Sequence, residues 1–215
     1  MNRTAISQQI IDTCLKMSAM GLNQGTSGNI SVRYQNGMLI TPTSVPYEDL
    51  GPHDIVFVDN HGQAEPGKHP SSEWRFHLDI LKAKPDENVV LHNHAICATA
   101  VAVMNKAIPA IHYMVAAAGG NIIPCAPYAT YGTQALSEHA VKALNGYKAT
   151  LLQHHGMITT AKTLEKALWL AQEVEVLAKL YLSILPIMDP PPILSDAQID
   201  EVLFKFHGYG LSDAH

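Results

Sequence analysis

The segment VVLHNHAICATA, residues 89–100, constrains the possible folds of this 215-residue chain more than any other stretch. It begins as an apolar run typical of a buried strand, and His92 and His94 stand where that run ends. Buried imidazoles are costly, because each ring brings a donor and an acceptor that must be satisfied away from water. Side chains at i and i+2 of a strand share one face, so both rings are expected to point the same way. This spacing suits two ligands of one metal ion.

A third ligand is available in LLQHHG, residues 151–156, a second apolar run that leads into histidines. Neighbouring side chains of a strand point to opposite faces, so at most one of His154 and His155 can join the other two rings. The spacing alone does not decide which one joins. The alternative interpretation is that all these histidines are simply exposed residues at strand ends.

The rest of the chain mixes helical and strand patterns. Helical spacing predicts helices before Gly21, between Pro70 and Pro85, and in the long segment that ends at Pro186, and Ser195 with Gln198 resembles a capping box that opens a last helix. The patterns show no internal repeat, no strict βαβ alternation and no linker. They predict one α/β layered domain, residues 1–215, with a mixed or largely antiparallel sheet.

Composition excludes several classes of function. Hydrophobic residues make up 47% of the chain, charged residues 15%, and the net charge is −5, which argues against nucleic-acid binding. No apolar window is long enough to span a membrane. The three cysteines, Cys14, Cys97 and Cys125, lack CxxC spacing, so a reducing cytoplasm is expected and a disulfide framework is not.

Two polar segments have both a structural and a functional interpretation. Ser71 and Ser72 with Glu73 are consistent with ordinary capping of a helix, or with a phosphate site at a helix start beside a carboxylate that acts as base or ligand. Gly25–Asn29, GTSGN, is consistent with a turn or with backbone N–H groups that approach an anion. No GK[ST] follows this glycine-rich segment, which disfavours nucleotide binding.

The chain resembles the class II aldolase/adducin family almost from end to end. The resemblance lies in the motifs GLNQGTSGNISVRY, MLITPTSVPYE, PSSEWRFH, HNHA, IHYM, ATYGT, LLQHHG and YGL. The resemblance implies a three-layer α-β-α fold with a central mixed, mostly antiparallel sheet. It also implies one catalytic Zn²⁺ per subunit, with ligands His92, His94 and His155. His154 then becomes only a neighbour of the site.

The resemblance also assigns the remaining site residues. Glu73 is implied as a metal ligand without substrate and as the acid/base with it, and Tyr113 is implied to reach a neighbouring subunit's site in a homotetramer. Tyr131 and Tyr209 are implied to place the aldehyde. The implied phosphate-binding residues are Gly28, Asn29, Thr43, Ser44, Ser71 and Ser72. At Ser44 the family pattern TPTG has glycine, so serine would be strained there if the position needs a positive φ.

Within the family, the chain is most similar to members that cleave L-fuculose 1-phosphate to dihydroxyacetone phosphate and L-lactaldehyde through a zinc-stabilised enediolate. The nearest alternative is an L-ribulose-5-phosphate 4-epimerase, which typically has THAD where this chain has IHYM. Another ketose-1-phosphate aldolase, a methylthioribulose-phosphate dehydratase, an adducin-like binding module without ligands and a purely structural zinc are further alternatives. A mobile C-terminal tail is expected at about residues 206–215.

Overall fold

A computed structural model describes residues 2–206, and it places a seven-stranded sheet between two layers of helices. Nine strands are found in these residues: β1 (Asn29–Tyr34), β2 (Gly37–Ile40), β3 (Val56–Asp59), β4 (Val89–Asn93), β5 (Ile108–Pro109), β6 (Ile122–Ile123), β7 (Cys125–Ala126), β8 (Ala149–Leu152) and β9 (Gly156–Ala161). The α-helices are α1 (Arg3–Ala19), α2 (Trp74–Ala83), α3 (Ile96–Val103), α4 (Gln134–Ala143), α5 (Leu164–Ile184) and α6 (Asp196–Phe206).

The strand order in the large sheet is β3-β2-β1-β4-β9-β8-β7. Only β7 and β8 run parallel, and all other neighbours in this sheet are antiparallel. The short strands β5 and β6 form a separate antiparallel pair. The predicted mixed and mostly antiparallel sheet is therefore confirmed.

Each face of the sheet has its own hydrophobic core, which gives the predicted three layers. Helices α1, α3 and α5 cover one face, where Leu91 packs with residues such as Ile10 and Val174. Helices α2 and α4 cover the other face, where Val90 packs with Phe76 and Leu136. Side chains along β4 thus alternate between the two cores, as a strand buried on both faces must.

The ends of several elements follow the local sequence. The predicted capping box before α6 is confirmed, because Ser195 N–H donates to Gln198 Oε1 at 2.9 Å and Gln198 N–H donates to Ser195 Oγ at 3.3 Å. Among residues 2–206, no helix is long and apolar enough to cross a membrane. Phe206, at which the expected tail begins, is the last described residue and belongs to α6. Residues 207–215 lie outside the described residues, and their mobility stays a prediction.

Candidate functional site

Three histidines converge at the end of the central strands, and we call His92, His94 and His155 the histidine cluster. One ring nitrogen from each lies within 4.8 Å of those of the other two, and the ring centroids are 4.8 to 5.1 Å apart. His92 is on β4, His94 follows β4 directly, and His155 lies between β8 and β9. Because β4 pairs with β9, the sheet brings the two distant segments together.

His154 and His155 are not part of a strand, contrary to the expectation from LLQHHG. Strand β8 ends at Leu152 and β9 begins at Gly156, so both histidines belong to the tight turn between them. His154 has a φ of 54°, in the left-handed region, and its side chain is exposed. The turn, rather than strand alternation, directs His155 towards the cluster.

The ring of His92 is oriented by a hydrogen bond, and the surroundings of His92 and His94 favour their neutral form. His92 Nδ1–H donates to the backbone carbonyl of Met157 at 2.9 Å, which leaves Nε2 with a lone pair that faces the other rings. Burial lowers the pKa of His92 to about 3. Burial, followed by repulsion from His155, also lowers the pKa of His94. Neutral imidazole is the form that binds a metal ion.

Gly156 allows the two strands to meet closely behind the cluster. A Cβ atom at this position would lie 2.4 Å from the carbonyl oxygen of Asn93 and 2.7 Å from Cδ2 of His94. Any larger residue would therefore displace β4 or the His94 ring. The glycine of QHHG is required by packing around the cluster, and not by a positive φ.

Glu73 supplies a carboxylate to the cluster from the residue that precedes α2. Its Oε2 is 3.2 Å from His92 Nε2, and its Oε1 is 3.1 Å from His155 Nε2. Burial by itself would raise the pKa of this carboxyl, but the nearby His92 and His155 and the hydrogen bond from Asn29 outweigh burial and hold the pKa below its usual value. The group is therefore an ionised carboxylate at neutral pH.

These residues fit a metal ion. Glu73 Oε1 is buried and accepts no hydrogen bond of good geometry from the described residues, although His155 Nε2 is close. An unpaired buried carboxylate oxygen is costly unless a cation or donor satisfies it. Three imidazoles with converging nitrogens and one carboxylate oxygen form a ligand set that divalent metal ions take. The histidine cluster is thus able to bind a metal ion.

A cleft of about 350 Å³ opens beside the cluster. Its lining includes Glu73, His94 and His155. It also includes the segments that we call the hydroxyl-lined loops, Thr26–Asn29, Thr43–Ser44 and Ser71–Ser72. All six residues predicted to bind phosphate therefore lie in this cleft with the carboxylate.

Two of those residues have local geometry that the sequence only partly indicates. Ser44 has a φ of 60°, so the expected strain of a serine at this position is present. Its hydroxyl lies 3.3 Å from that of Thr43. The interpretation of Ser71 and Ser72 as caps of α2 is not supported, since Glu73 occupies the cap position and makes no capping hydrogen bond with its side chain. Ser71 Oγ instead accepts from Glu73 N–H at 3.3 Å.

The three predicted tyrosines have different positions. Tyr131 lines the cleft and is 66% exposed. Tyr113 begins a short 3-10 helix, is 49% exposed and does not line the cleft of its own chain. Its predicted role across a subunit interface remains a prediction. Tyr209 lies outside the described residues.

The sequence analysis does not identify Tyr128 and His77 as parts of the site. Tyr128 also lines the cleft, as do Thr26 and His154. His77 lies on α2 and is linked to Glu73 through Asn29 by hydrogen bonds. The available signal was a histidine four residues after the acid, because Glu73 is the cap residue of α2 and positions one turn apart lie near the same helix face.

Comparison with known proteins gives consistent matches over the whole chain. The family model described as Class II Aldolase and Adducin N-terminal domain matches residues 8–182. The L-fuculose phosphate aldolase of Escherichia coli (strain K12) is 64% identical over 211 residues, which cover 98% of each chain. The 5-methylthioribulose-1-phosphate/5-deoxyribulose-1-phosphate aldolase of Escherichia coli O45:K1 (strain S88 / ExPEC) is 51% identical, over 98% of this chain and 99% of the relative.

Among solved structures, one described as L-fuculose 1-phosphate aldolase has a TM-score of 0.91 and 35% sequence identity. The match covers 94% of this chain and 96% of the solved one. The three-layer architecture and the connection of its strands are therefore shared with that structure.

Proposed function

Because this chain belongs to the class II aldolase and adducin family, we propose that it is a zinc-dependent aldolase that reversibly cleaves L-fuculose 1-phosphate to dihydroxyacetone phosphate and L-lactaldehyde. The observation that carries the proposal is a single cleft lined by His94, His155 and the Glu73 carboxylate together with several hydroxyl-bearing side chains. The 64% identity to an L-fuculose phosphate aldolase supports the choice of substrate. The enzyme is further proposed to be a cytoplasmic homotetramer.

The histidine cluster would hold Zn²⁺, with Glu73 as a further ligand when substrate is absent. When bound, the ion supplies a Lewis acid for negative charge that develops on the substrate's oxygens. Neutral imidazoles suit this role, because they leave the charge of the ion undiminished. The unpaired Oε1 of Glu73 supports its role as a ligand.

Glu73 is proposed to move a proton at the carbon where the bond breaks. When the C3–C4 bond of the ketose phosphate breaks, its electron pair stays with the dihydroxyacetone phosphate half. That half must then gain a proton at C3, and in the reverse direction C3 must lose one. An ionised carboxylate in a buried position beside the cleft is suited to both transfers.

The hydroxyl-lined loops would bind the phosphate group. Thr43, Ser44, Ser71 and Ser72 bring hydroxyl groups to the cleft, and Gly28 also lines it. The side chain of Asn29 already bonds with Glu73 and His77, so its contribution to phosphate binding is proposed to come from its other donors. Binding the phosphate there would place the C3–C4 bond near the histidine cluster.

The aldehyde half requires groups that the described cleft supplies only in part. Tyr131 is exposed in the cleft and is proposed to contact the aldehyde together with Tyr209. Tyr113 is proposed to reach the site of a neighbouring subunit and to exchange the proton of the C4 oxygen. Its exposed position away from its own cleft is consistent with that role.

The proposal is tested by incubating the purified protein with L-fuculose 1-phosphate and measuring triose phosphate with a coupled NADH assay. We expect turnover that a chelator abolishes and that added Zn²⁺ restores. Parallel reactions serve as comparisons: 5-deoxyribulose 1-phosphate is tested in the same assay, and L-ribulose 5-phosphate is tested for formation of its epimerised pentose phosphate. A protein without chelator-sensitive cleavage would exclude the aldolase, and a higher rate on either alternative substrate would exclude the proposed substrate.

A further inference from the structure

His77 lies outside the cleft, yet it is the centre of a continuous chain of hydrogen bonds that ends on Glu73. Ser31 Oγ is 2.8 Å from His77 Nδ1, and His77 Nε2 is 2.5 Å from Asn29 Oδ1. Asn29 Nδ2–H then donates to Glu73 Oε2 at 2.9 Å. All four residues are buried. In a buried chain of this kind the donor and acceptor roles are fixed, because each donor must face an acceptor of the next group.

The local structure explains why these side chains meet. Asn29 and Ser31 are two residues apart on β1, so both point to the face that α2 covers. His77 is on α2, one helical turn after Glu73, and its ring fits between the two β1 side chains. Phe76 stacks on the His77 ring with centroids 4.7 Å apart. The ring is therefore held in place on several sides.

The hydrogen bond from the Asn29 amide to Glu73 determines the proton positions along the chain. Burial lowers the pKa of His77 to about 3, so at neutral pH its ring has one donor and one acceptor. The amide of Asn29 donates to the carboxylate, so its oxygen must accept from His77 Nε2–H. Nδ1 of His77 then has no hydrogen and must accept from the Ser31 hydroxyl.

The opposite arrangement of hydrogens along this chain of hydrogen bonds would be unfavourable. With the hydrogen on His77 Nδ1, the ring would accept from the Asn29 amide, and the amide oxygen would face the Glu73 carboxylate. Two acceptors would then be in contact in a buried position, which is costly unless Glu73 is protonated. Ser31 and His77 together therefore keep the NH₂ group of Asn29 directed at the carboxylate.

We propose that His77, oriented by Ser31, is a positioning residue that fixes the amide of Asn29 and through it holds the Glu73 carboxylate in place for proton transfer. This inference rests on the proposed function of Glu73 as the acid/base. His77 itself does not line the cleft, so it acts on the reaction only through its neighbours.

The first test compares His77→Asn with His77→Gln in the zinc-loaded enzyme. The glutamine amide reaches the position of Nε2 and can donate to Asn29, whereas the shorter asparagine cannot. We expect His77→Asn to lower kcat about 10- to 100-fold with KM changed less than about threefold, and His77→Gln to keep kcat within about fivefold of the wild type. Equal losses in the two variants, or a loss carried mainly by KM, would overturn the proposal.

The second test places His77→Asn in a Glu73→Gln background. If His77 acts through Glu73, the second substitution should lower the residual rate by less than about twofold, because the carboxylate that it positions is already gone. A merely structural role would lower the rate by the same factor in both backgrounds, and that result would overturn the proposal. Exchange of the C3 proton of dihydroxyacetone phosphate in D₂O is measured alongside cleavage.

The third test does not depend on activity. Protein labelled with ¹⁵N-histidine is examined by NMR, and the His77 signals are assigned from their loss in His77→Gln. We expect the Nε2–H tautomer in the wild type, and a changed Nδ1 chemical shift in Ser31→Ala because the hydroxyl that donates to Nδ1 is lost. A wild-type ring with its hydrogen on Nδ1 would overturn the proposed chain. If the wild type failed to cleave the sugar phosphate, the proposed function would be wrong. The tautomer of His77 would still show whether the proposed chain of hydrogen bonds is correct.

Discussion

Two parts of the site, the histidine cluster with Glu73 and the hydroxyl-lined loops, are built in contrasting ways. The histidine cluster comes from paired strands and a tight turn, and its His92 and the adjoining Glu73 are 0% and 5% exposed. Apart from Asn29, which begins β1 and is buried, the hydroxyl-lined loops lie between elements, and their Thr43 and Ser72 are exposed to solvent. The cluster is thus set by strand register and packing, and most of the hydroxyl-lined loops by loop conformation.

This difference indicates how the histidine cluster is suited to metal binding and the hydroxyl-lined loops to phosphate binding. Metal binding requires ring nitrogens at defined positions, which a buried strand pair with a glycine at the crossing can hold. Phosphate binding requires several hydroxyl and N–H donors around one anion, which loops can provide with some freedom. Substitutions at the histidine cluster should therefore have larger effects than those in the loops.

The largest effect is expected for His155→Ala. Removing one of three neutral ligands should abolish stable Zn²⁺ binding and lower kcat/KM by at least about 10³-fold. The matched control is His154→Asn, because asparagine tolerates the left-handed φ of 54° at that position. Metal content by elemental analysis and the coupled assay check both variants. Equal losses of zinc and activity in the two variants would contradict the assignment of His155, and not His154, as the metal ligand.

A smaller effect is expected for Gly156→Ala, which places a methyl group against the backbone of β4. Overlap with Asn93 and His94 should weaken Zn²⁺ binding and lower activity about 10- to 100-fold, with a loss of about 1–3 kcal/mol in the free energy of unfolding. Gly146→Ala is the control, since it has a φ of 81° but open space around it. That control should lose stability without losing metal affinity, as measured by urea unfolding and metal titration.

The buried region should also make the protein sensitive to acid. The pKa of His77 is about 3 in the folded protein, below its ordinary value of 6.5. Between these values the unfolded chain binds a proton that the folded chain does not, so the stability contribution of neutral His77 is lost as pH falls. Compared with His77→Gln, the wild type should lose about 2 kcal/mol more between pH 7 and pH 5, as measured by urea unfolding after chelation. An equal loss of unfolding free energy in the wild type and in His77→Gln over this pH range would contradict the prediction.

The smallest effect is expected in the loops, for Ser44→Gly. Glycine relieves the strain of the positive φ, so the free energy of unfolding should change by less than about 1 kcal/mol. If the Ser44 hydroxyl contacts phosphate, KM for the sugar phosphate should rise about two- to fivefold with kcat unchanged. A KM that falls instead would show that the serine hinders phosphate binding. Thr26→Ala, another exposed hydroxyl of these loops, gives a reference for the loss of one hydroxyl.

Much of the fold was accessible from the sequence because its signals are local. The apolar run around Val90 and Leu91 predicted a buried strand, and the Ser195 and Gln198 pair predicted the start of α6. His92 and His94 were expected on one face and do meet, with their Nε2 atoms 3.1 Å apart. His154 and His155 were wrongly placed in a strand, because a difference of three residues in strand length leaves no trace in an apolar pattern.

By itself the sequence determined which residue types are available and which local faces they share. Only the tertiary structure decided that β4 pairs with β9, that Gly156 lets them approach, and that His77 lies between Asn29 and Ser31. The physical reason is that helix and strand periods act over a few residues, whereas a ligand set and a buried hydrogen-bond chain join segments that are far apart in sequence. Their distances depend on how whole layers pack.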